Sequence, residues 1–553
     1  MSTAAAVPTR RPPRRRPRLA ALALAAAGLG SGVMAAAPAS AEIGPQATTT
    51  WGVYGLDTST ETDAIATQVF AIEQIGNRIY VGGKFLEARP DANGTPVAQP
   101  YLAAFDATSG AFIPEFNPQI ESAVYALQAS PDGGRLFVAG EFRSVNGDRN
   151  AQGLAALDPV TGAVDTSWQA KVSNASGARP FVKSLTVSGD QLYLSGRFDR
   201  VGGGRQAIHT TEKVARVSLD SGAVDTSLST DIDGGAVWGV AVAPDGSKIY
   251  LAGYHDAVDG NTAGADYAVL DAATGRFIPS LSVHPNNSGT VSRRYGQDVV
   301  AVNGLVFWGG SEHVLRVYRA SDGALLHSHS ADRGGDFQDL EVVGDRVYGT
   351  CHCYTNHFAD YDYWVTRNSN PVGVLKTPIK YVAAYSALTG DYINGFLLDA
   401  SATSAGVWAV HGGTDGCLWV GGDLSRVTAL DGRDRAAGGF AKFCDQDAVD
   451  ATAPNQPGNL AQTRAENRKI VIRFEAATDN RGVTAYEVSR DGQVIASVAA
   501  TTARRYWYTD SGLTAATNYT YTVVALDAAG NRSTPATLLA GTLGAPVPPV
   551  IST

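Results

Sequence analysis

The chain reads as an all-β protein, a seven-bladed β-propeller followed by a C-terminal β-sandwich. Three observations carry this. A hairpin closed by a glycine recurs every 56 or 57 residues. A turn of the form Asp-x-x-Thr-Gly recurs in step with it, and beyond residue 457 the texture changes to alternating strands without either mark.

The clearest hairpin is residues 123–142, AVYALQASPDGGRLFVAGEF, with two alternating apolar runs about Pro131-Asp132-Gly133-Gly134. The closing glycines are Gly83, Gly140, Gly196, Gly253, Gly310 and Gly422, and Cys351 fills the double gap before Gly422. Seven copies therefore run from about Val69 to Cys444. Four short strands fit each copy, in the first copy residues 68–73, 78–85, 101–106 and 111–116, which suits a propeller blade. The third and fourth are joined by the recurring turn, as at Asp106 to Gly110, Asp158 to Gly162, Asp271 to Gly275 and Ser386 to Gly390. There Asp or Ser accepts turn N–H groups and Gly takes a positive φ.

Five residues before each closing position, and at the end of the third strand, the pairs read Arg78 with Asp106, Arg135 with Asp158, Gln191 with Asp220, Lys248 with Asp271, and Cys417 with Cys444. Facing each other across two strands, these predict charge pairs and a Cys417–Cys444 disulfide. The seventh copy lacks a fourth strand, and residues 51–57, WGVYGLD, are expected to supply it and close the ring.

Ahead of the repeats, residues 1–41 have an Arg-rich opening, an apolar run and Ala39-Ser40-Ala41, the order of a signal peptide. General secretory and twin-arginine export both stay open. The net charge of −9 becomes more negative once the leader's arginines leave. That acidity argues against nucleic acid and anionic membranes as partners. The expected organisation is residues 1–41 signal peptide, 49–446 propeller, 447–456 linker, 457–542 sandwich and 543–553 tail, with no integral membrane segment in the mature chain and an extracellular location.

The sandwich segment carries KIVIRFEAATD, VTAYEVSRDGQVIASV and NYTYTVVALDAAGNRS, with Leu513 and Tyr519 at tyrosine-corner spacing and a late turn from Asp527 to Ser533. On these residues it resembles a fibronectin type III domain, with Phe474 where such domains usually carry Trp. The repeats, through their hairpin, Gly-x-Phe and Asp-x-x-Thr-Gly pattern, resemble the bacterial extracellular propellers of the delta-60-repeat type. Both resemblances imply a secreted protein, and neither names a ligand.

For chemistry, the long excursion after Cys351, CHCYTNHFADYDYW, is the richest stretch. His352, Tyr354, His357, Tyr361, Tyr363 and Trp364 form a candidate ligand-binding group suited to sugar rings. The alternative is that these rings pack the insertion onto the rim. Cys351-His352-Cys353 stays open between a local disulfide, a metal site shared with His357 or another His, and unpaired thiols. On the innermost strands, Phe70, Tyr125, Trp238 and Trp408 align with Lys183, Asp298 and Gln338. Asp298 and Asp339 are the candidate catalytic pair if there is catalysis; otherwise they bond backbone N–H groups of adjacent blades. Sialidase boxes, a Gly-x-Ser-x-Gly elbow and a His-Glu-x-x-His helix are absent, and no cofactor is called for. The reading is a secreted, non-enzymatic module for carbohydrate or a cell-surface partner, with a carbohydrate-active hydrolase or lyase and an adhesive surface protein as alternatives.

Overall fold

The computed structural model describes residues 43–47, 52–57, 69–89, 94–202, 206–281, 295–310, 313–331, 335–361, 376–393, 396–429, 432–445, 453–479, 483–500, 503–527 and 531–544. The signal-peptide segment, Tyr363 and Trp364 lie outside them. The architecture is all-β and propeller-like. Among the described residues the helical pieces are three short 3-10 turns, Arg149–Ala151, Thr262–Gly264 and Pro279–Leu281.

Each repeat forms an antiparallel sheet. Its first strands, in chain order, are Val69–Ile75, Val124–Ala129, Phe181–Ser188, Val237–Val242, Gly296–Val302, Phe337–Val343 and Ala400–Gly412. Each pairs with the second strand of its own repeat, which pairs with the third. Each first strand also touches the next one along the chain, and Ala400–Gly412 touches Val69–Ile75, so the series closes on itself. Between neighbouring sheets the inward side chains interdigitate. Tyr80 and Phe116 pack edge-on at 5.0 Å beside Leu136 and Val138 of the next sheet, all fully or nearly fully buried. Each such side chain is worth about 1.5–3 kcal/mol of burial, which makes these interfaces the main source of stability.

The closing glycine has a steric cause. A Cβ at Gly140 would stand 2.1 Å from the Ala123 carbonyl oxygen, at Gly196 1.9 Å from that of Phe181, and at Gly422 2.1 Å from that of Gly406. The strand opposite bends its backbone into the place a side chain would take.

Three expectations are corrected. The expected fourth strand is mostly absent: in the first, second, third and fourth sheets it is a single bridge, such as Phe105 to Phe112. In the second and third sheets the reason is local, since Asp165 and Asp225 Oδ1 accept from the N–H and hydroxyl of Ser167 and Ser227 and turn the chain away. Fuller fourth strands occur at Leu325–Ala331 and Tyr392–Ile393. Second, Arg78 faces Asp106 and Lys248 faces Asp271, but Gln191 faces Ser218, not Asp220. The carboxylates are engaged by their own turns, Asp106 accepting from the Thr108 and Ser109 N–H groups. Arg78 reaches instead to the Val160 carbonyl of the next sheet, and Arg135 pairs with Asp165 and reaches the Leu219 carbonyl; the third-strand cations Arg216, paired with Asp225, and Lys442, paired with Asp415, likewise reach the carbonyls of Ala272 and Ala107. Third, the strand completing the seventh sheet is Ile43–Ala47, antiparallel to Asp434–Asp445 through Ile43 to Asp445 and Ala47 to Phe443. The strand Gly52–Leu56 touches that sheet at one parallel bridge and otherwise pairs with Phe85–Arg89. Pairing therefore begins before residue 49.

The C-terminal unit is a sandwich of a three-stranded and a four-stranded sheet. Phe474 is fully buried and packs against Tyr486 at 5.0 Å and Tyr506 at 5.4 Å. Tyr519 Oη accepts from the Thr514 N–H at 2.9 Å, Leu513 is buried beneath it, and Asp527 accepts from the Asn531 N–H at 2.8 Å.

Candidate functional site

The site is built by a bulge repeated in every first strand. In the first sheet Val69 faces Gly83 and Ala71 faces Gly82, which leaves Phe70 as the extra residue. The same slip sets apart Tyr125, Lys183, Trp238, Gln297 and Trp408, and in the sixth sheet the step from Phe337 to Leu340 holds Gln338 and Asp339. A bulge frees its residue from strict alternation and re-aims it. Seven of these eight side chains line a central channel of about 400 Å³, and the eighth, Trp408, packs edge-on against Phe70 at 5.7 Å. The register corrects the alignment made from sequence: Gln297, not Asp298, matches Lys183 and Gln338, and Asp298 is one residue deeper.

The ring has two characters. Phe70, Tyr125 and Phe181 stack in series at 4.7 and 4.6 Å and are nearly fully buried, which plugs one side. Trp238 is half-buried and stands 5.1 Å from both Tyr254 and Tyr295. Beside this group lie Gln297 and Gln338, each buried and each with an amide Oε1 that has no hydrogen-bond partner. Gln338 Nε2 lies 3.2 Å from His352 Nδ1. Tyr295 donates to Asp336 Oδ2 at 3.3 Å, and His313 Nε2 is 3.4 Å from Asp336 Oδ1. Burial pushes Asp336 up to about 7; burial and then the His352 imidazole pull His313 down to about 4.

Below the ring, polar side chains staple several first strands to the next. Ser184 accepts from the Val240 N–H, Asp298 from that of Leu340 at 2.9 Å, and Asp339 from that of Val410 at 2.8 Å. Two residues deeper, Glu73 accepts from the Ala129 N–H and Glu341 from that of Gly412. The structure thus brings Asp298 and Asp339 together, each with one oxygen committed to a neighbouring backbone. Burial pushes Asp298 up to about 6, while burial and then the Asp298 carboxylate push Asp339 well above the usual range. Lys183, also facing the channel, is pulled down by burial against the opposing attraction of Asp339 and Asp298.

Among the described residues proposed on the insertion after Cys351, the side chains are spread over different surroundings. His357 is fully buried, stacked on Tyr392 at 3.8 Å with Nε2 3.1 Å from Tyr385 Oη. Tyr361 is half-buried against Phe358, Tyr354 is exposed, and His352 belongs to the channel mouth. The strand Asn356–Phe358 pairs with Leu325–Ala331, so this part of the insertion extends the fifth sheet. Cys351 is bonded to Cys353 and Cys417 to Cys444, which leaves the first pair no thiolate for a metal. Trp238, Tyr254, Tyr295, Gln297, Asp336 and His313 were not brought together by sequence reading. The position before the residue facing the closing glycine's neighbour was the available signal, because it marks the bulge.

No family model matches the chain. Chitinase A1 of Niallia circulans is 47% identical over 85 residues, 15% of this chain and 11% of that protein. Chitinase 63 of Streptomyces plicatus is 39% identical over 94 residues, 17% of this chain and 14% of that protein. Exoglucanase B of Cellulomonas fimi is 39% identical over 102 residues, 18% of this chain and 9% of that protein. The chain therefore spans only a small part of these relatives, a stretch of about the sandwich's length, and the likeness is of a fibronectin type III-like, carbohydrate-related module. Among solved structures, the WD40 beta propeller domain of Doa1 aligns over 71% of this chain and 96% of its own with a TM-score of 0.37 and 8% identity. BamB from Moraxella catarrhalis aligns over 68% and 96% with a TM-score of 0.32 and 13% identity.

Proposed function

We propose that the chain is an exported seven-bladed propeller with a fibronectin type III-like accessory domain, and that it binds carbohydrate at the channel mouth without turning it over. Residues 1–41 are then a removed leader and Ile43 to Asp445 the propeller. The observation that carries this is that Trp238, flanked by the Tyr254 and Tyr295 rings, lines one channel with Gln297 and Gln338, whose buried amide oxygens have no hydrogen-bond partner. A sugar ring offers an apolar face to the aromatics and hydroxyl donors to the amides, and it satisfies both at once. The likeness of the sandwich to parts of chitinases and an exoglucanase supports a polysaccharide as the source of that sugar. Asp298 and Asp339 serve as strand staples in this reading, and their hydrogen bonds to Leu340 and Val410 support that over a hydrolase or lyase.

The test is binding of the mature protein to chitin, cellulose and their soluble oligosaccharides, with reducing ends assayed in parallel. Binding that weakens about tenfold or more, roughly 1.4 kcal/mol, in Trp238→Ala and in Gln338→Ala is expected. Unchanged binding in both variants, or release of reducing ends that stops with Asp339→Asn, overturns it.

A further inference from the structure

Away from the channel, on the outer edge of the fifth sheet, the strand Leu325–Ala331 carries the sequence Leu-Leu-His-Ser-His-Ser-Ala. Residues two apart on a strand share a face, so His327 and His329 project together. Their rings are stacked in parallel, 7° apart in plane and 5.6 Å between centroids. The chain returning from the paired strand Asn356–Phe358 reaches Asp360, which has a left-handed φ of 51°, beside both rings. Asp360 Oδ1 lies 2.7 Å from His327 Nδ1, and one ligand atom from each of the three residues falls within 4.8 Å of the others.

The hydrogen bonds around these rings are those that ready imidazoles for a metal. His329 Nε2 donates to the Gly390 carbonyl at 2.9 Å, which fixes the tautomer and leaves the Nδ1 lone pair on the Asp360 side. There it accepts only a long, 3.3 Å hydrogen bond from the Asp360 backbone N–H. His327 Nε2 lies 3.9 Å from Asp391 Oδ1, so its second nitrogen also has a carboxylate nearby. An imidazole whose outer N–H is held by a carbonyl or carboxylate is oriented and made more basic at the other nitrogen. His357, with its buried Nδ1 unpartnered, stacks 5.6 Å behind His329.

We propose that His327, His329 and Asp360 form a binding site for a divalent transition metal of the zinc class. Two imidazoles and one carboxylate are the donor set such ions take, with the remaining positions left to water because Asp360 is exposed. The bound ion joins the insertion, through Asp360, to the fifth sheet, through the two histidines, and clips the one onto the other.

The experiment is titration of the untagged, chelator-treated full chain with Zn²⁺ alone, by competition with a chromophoric chelator, and with Co²⁺ read by its visible absorption. Saturable binding of one ion, with about a tenfold or greater loss of affinity in His327→Ala and in Asp360→Asn and none in His209→Ala, is expected. The Asp360 change is isosteric and exposed, so circular dichroism that matches the parent keeps its result meaningful if His327→Ala fails to fold. Absence of saturable binding at micromolar metal, or affinity unchanged in Asp360→Asn, overturns the site.

Discussion

Replacing His411 with Gln tests how the ring closes. His411 Nδ1 lies 3.3 Å from Glu341 Oε1 on the preceding first strand, and Nε2 lies 3.7 Å from Glu73 Oε1 on the following one. Burial pulls the imidazole down, but Glu341, Glu73 and the more distant Asp339 outweigh it and lift it to about 9. Against an ordinary value near 6.5, at about 1.4 kcal/mol per pH unit, the interaction is worth about 3 kcal/mol at most. Because the folded value is raised, that stability is fully present below about pH 6.5 and is lost as pH rises through about 9.

The measurement is urea unfolding of parent and His411→Gln, followed by tryptophan fluorescence at intervals from about pH 6 to 9.5. The parent should be more stable by about 3 kcal/mol at the acid end, and the two midpoints should converge at the alkaline end. A gap that stays constant across this range would show that the imidazole packs but does not carry the charge, and the reasoning from Glu73 and Glu341 would fail.

Three further outcomes are expected. Asp339→Ala, which leaves the Val410 N–H without its acceptor, should cost about 1–3 kcal/mol in the same unfolding assay, and Asp339→Asn, which keeps an acceptor, should cost less; equal losses would refute the staple. Removing the Cys417–Cys444 bridge with paired Ser substitutions frees a loop with a sequence separation of 27 and should lower stability by about 3.5 kcal/mol, read as the difference between reduced and oxidised parent as well. Gly196→Ala places a Cβ 1.9 Å from the Phe181 carbonyl and should destabilise by about 3 kcal/mol or abolish soluble expression, whereas a neutral result would mean the strand can shift.

The repeat was legible because it is imposed by backbone geometry. A glycine at Gly140, Gly196 or Gly422 records a carbonyl that comes too close for any side chain, and Asp106 or Asp158 records turn N–H groups that need an acceptor. What was illegible is three-dimensional choice. Arg78 faces Asp106 in the register, yet its guanidinium goes to Val160, because Asp106 already serves its own turn. A bulge shifts the register by one residue, which moved the channel position from Asp298 to Gln297. The aromatic insertion is ambiguous in sequence for a related reason: among its described residues, the density of rings marks burial of His357 and Phe358 against the fifth sheet as readily as it marks a surface for ligand.

The seam between the seventh and first sheets is where the ring most needs polar bonds. Elsewhere a covalent loop leads from one sheet to the next, but here the neighbours are more than three hundred residues apart in sequence. Links of independent kinds meet at this seam: the His411–Glu73 end of the Glu341–His411–Glu73 series, the Lys442 bond to the Ala107 carbonyl, the paired hydrogen bonds between Gln74 and Thr414, and Gly52–Leu56, which bridges the seventh sheet at Gly438 and pairs with Phe85–Arg89. The first three depend on charge or polar contact, and the His411 series weakens as its proton leaves. Loss of that proton acts on the seventh sheet's first strand, against Glu341 on one side and Glu73 on the other, because the other first-strand staples use carboxylate or hydroxyl acceptors on backbone N–H groups. Alkaline loosening should therefore begin on both sides of the seventh sheet's first strand and spare the sandwich, whose Arg490–Asp510 pair is held at 2.8 Å with Tyr521 donating to the same carboxylate.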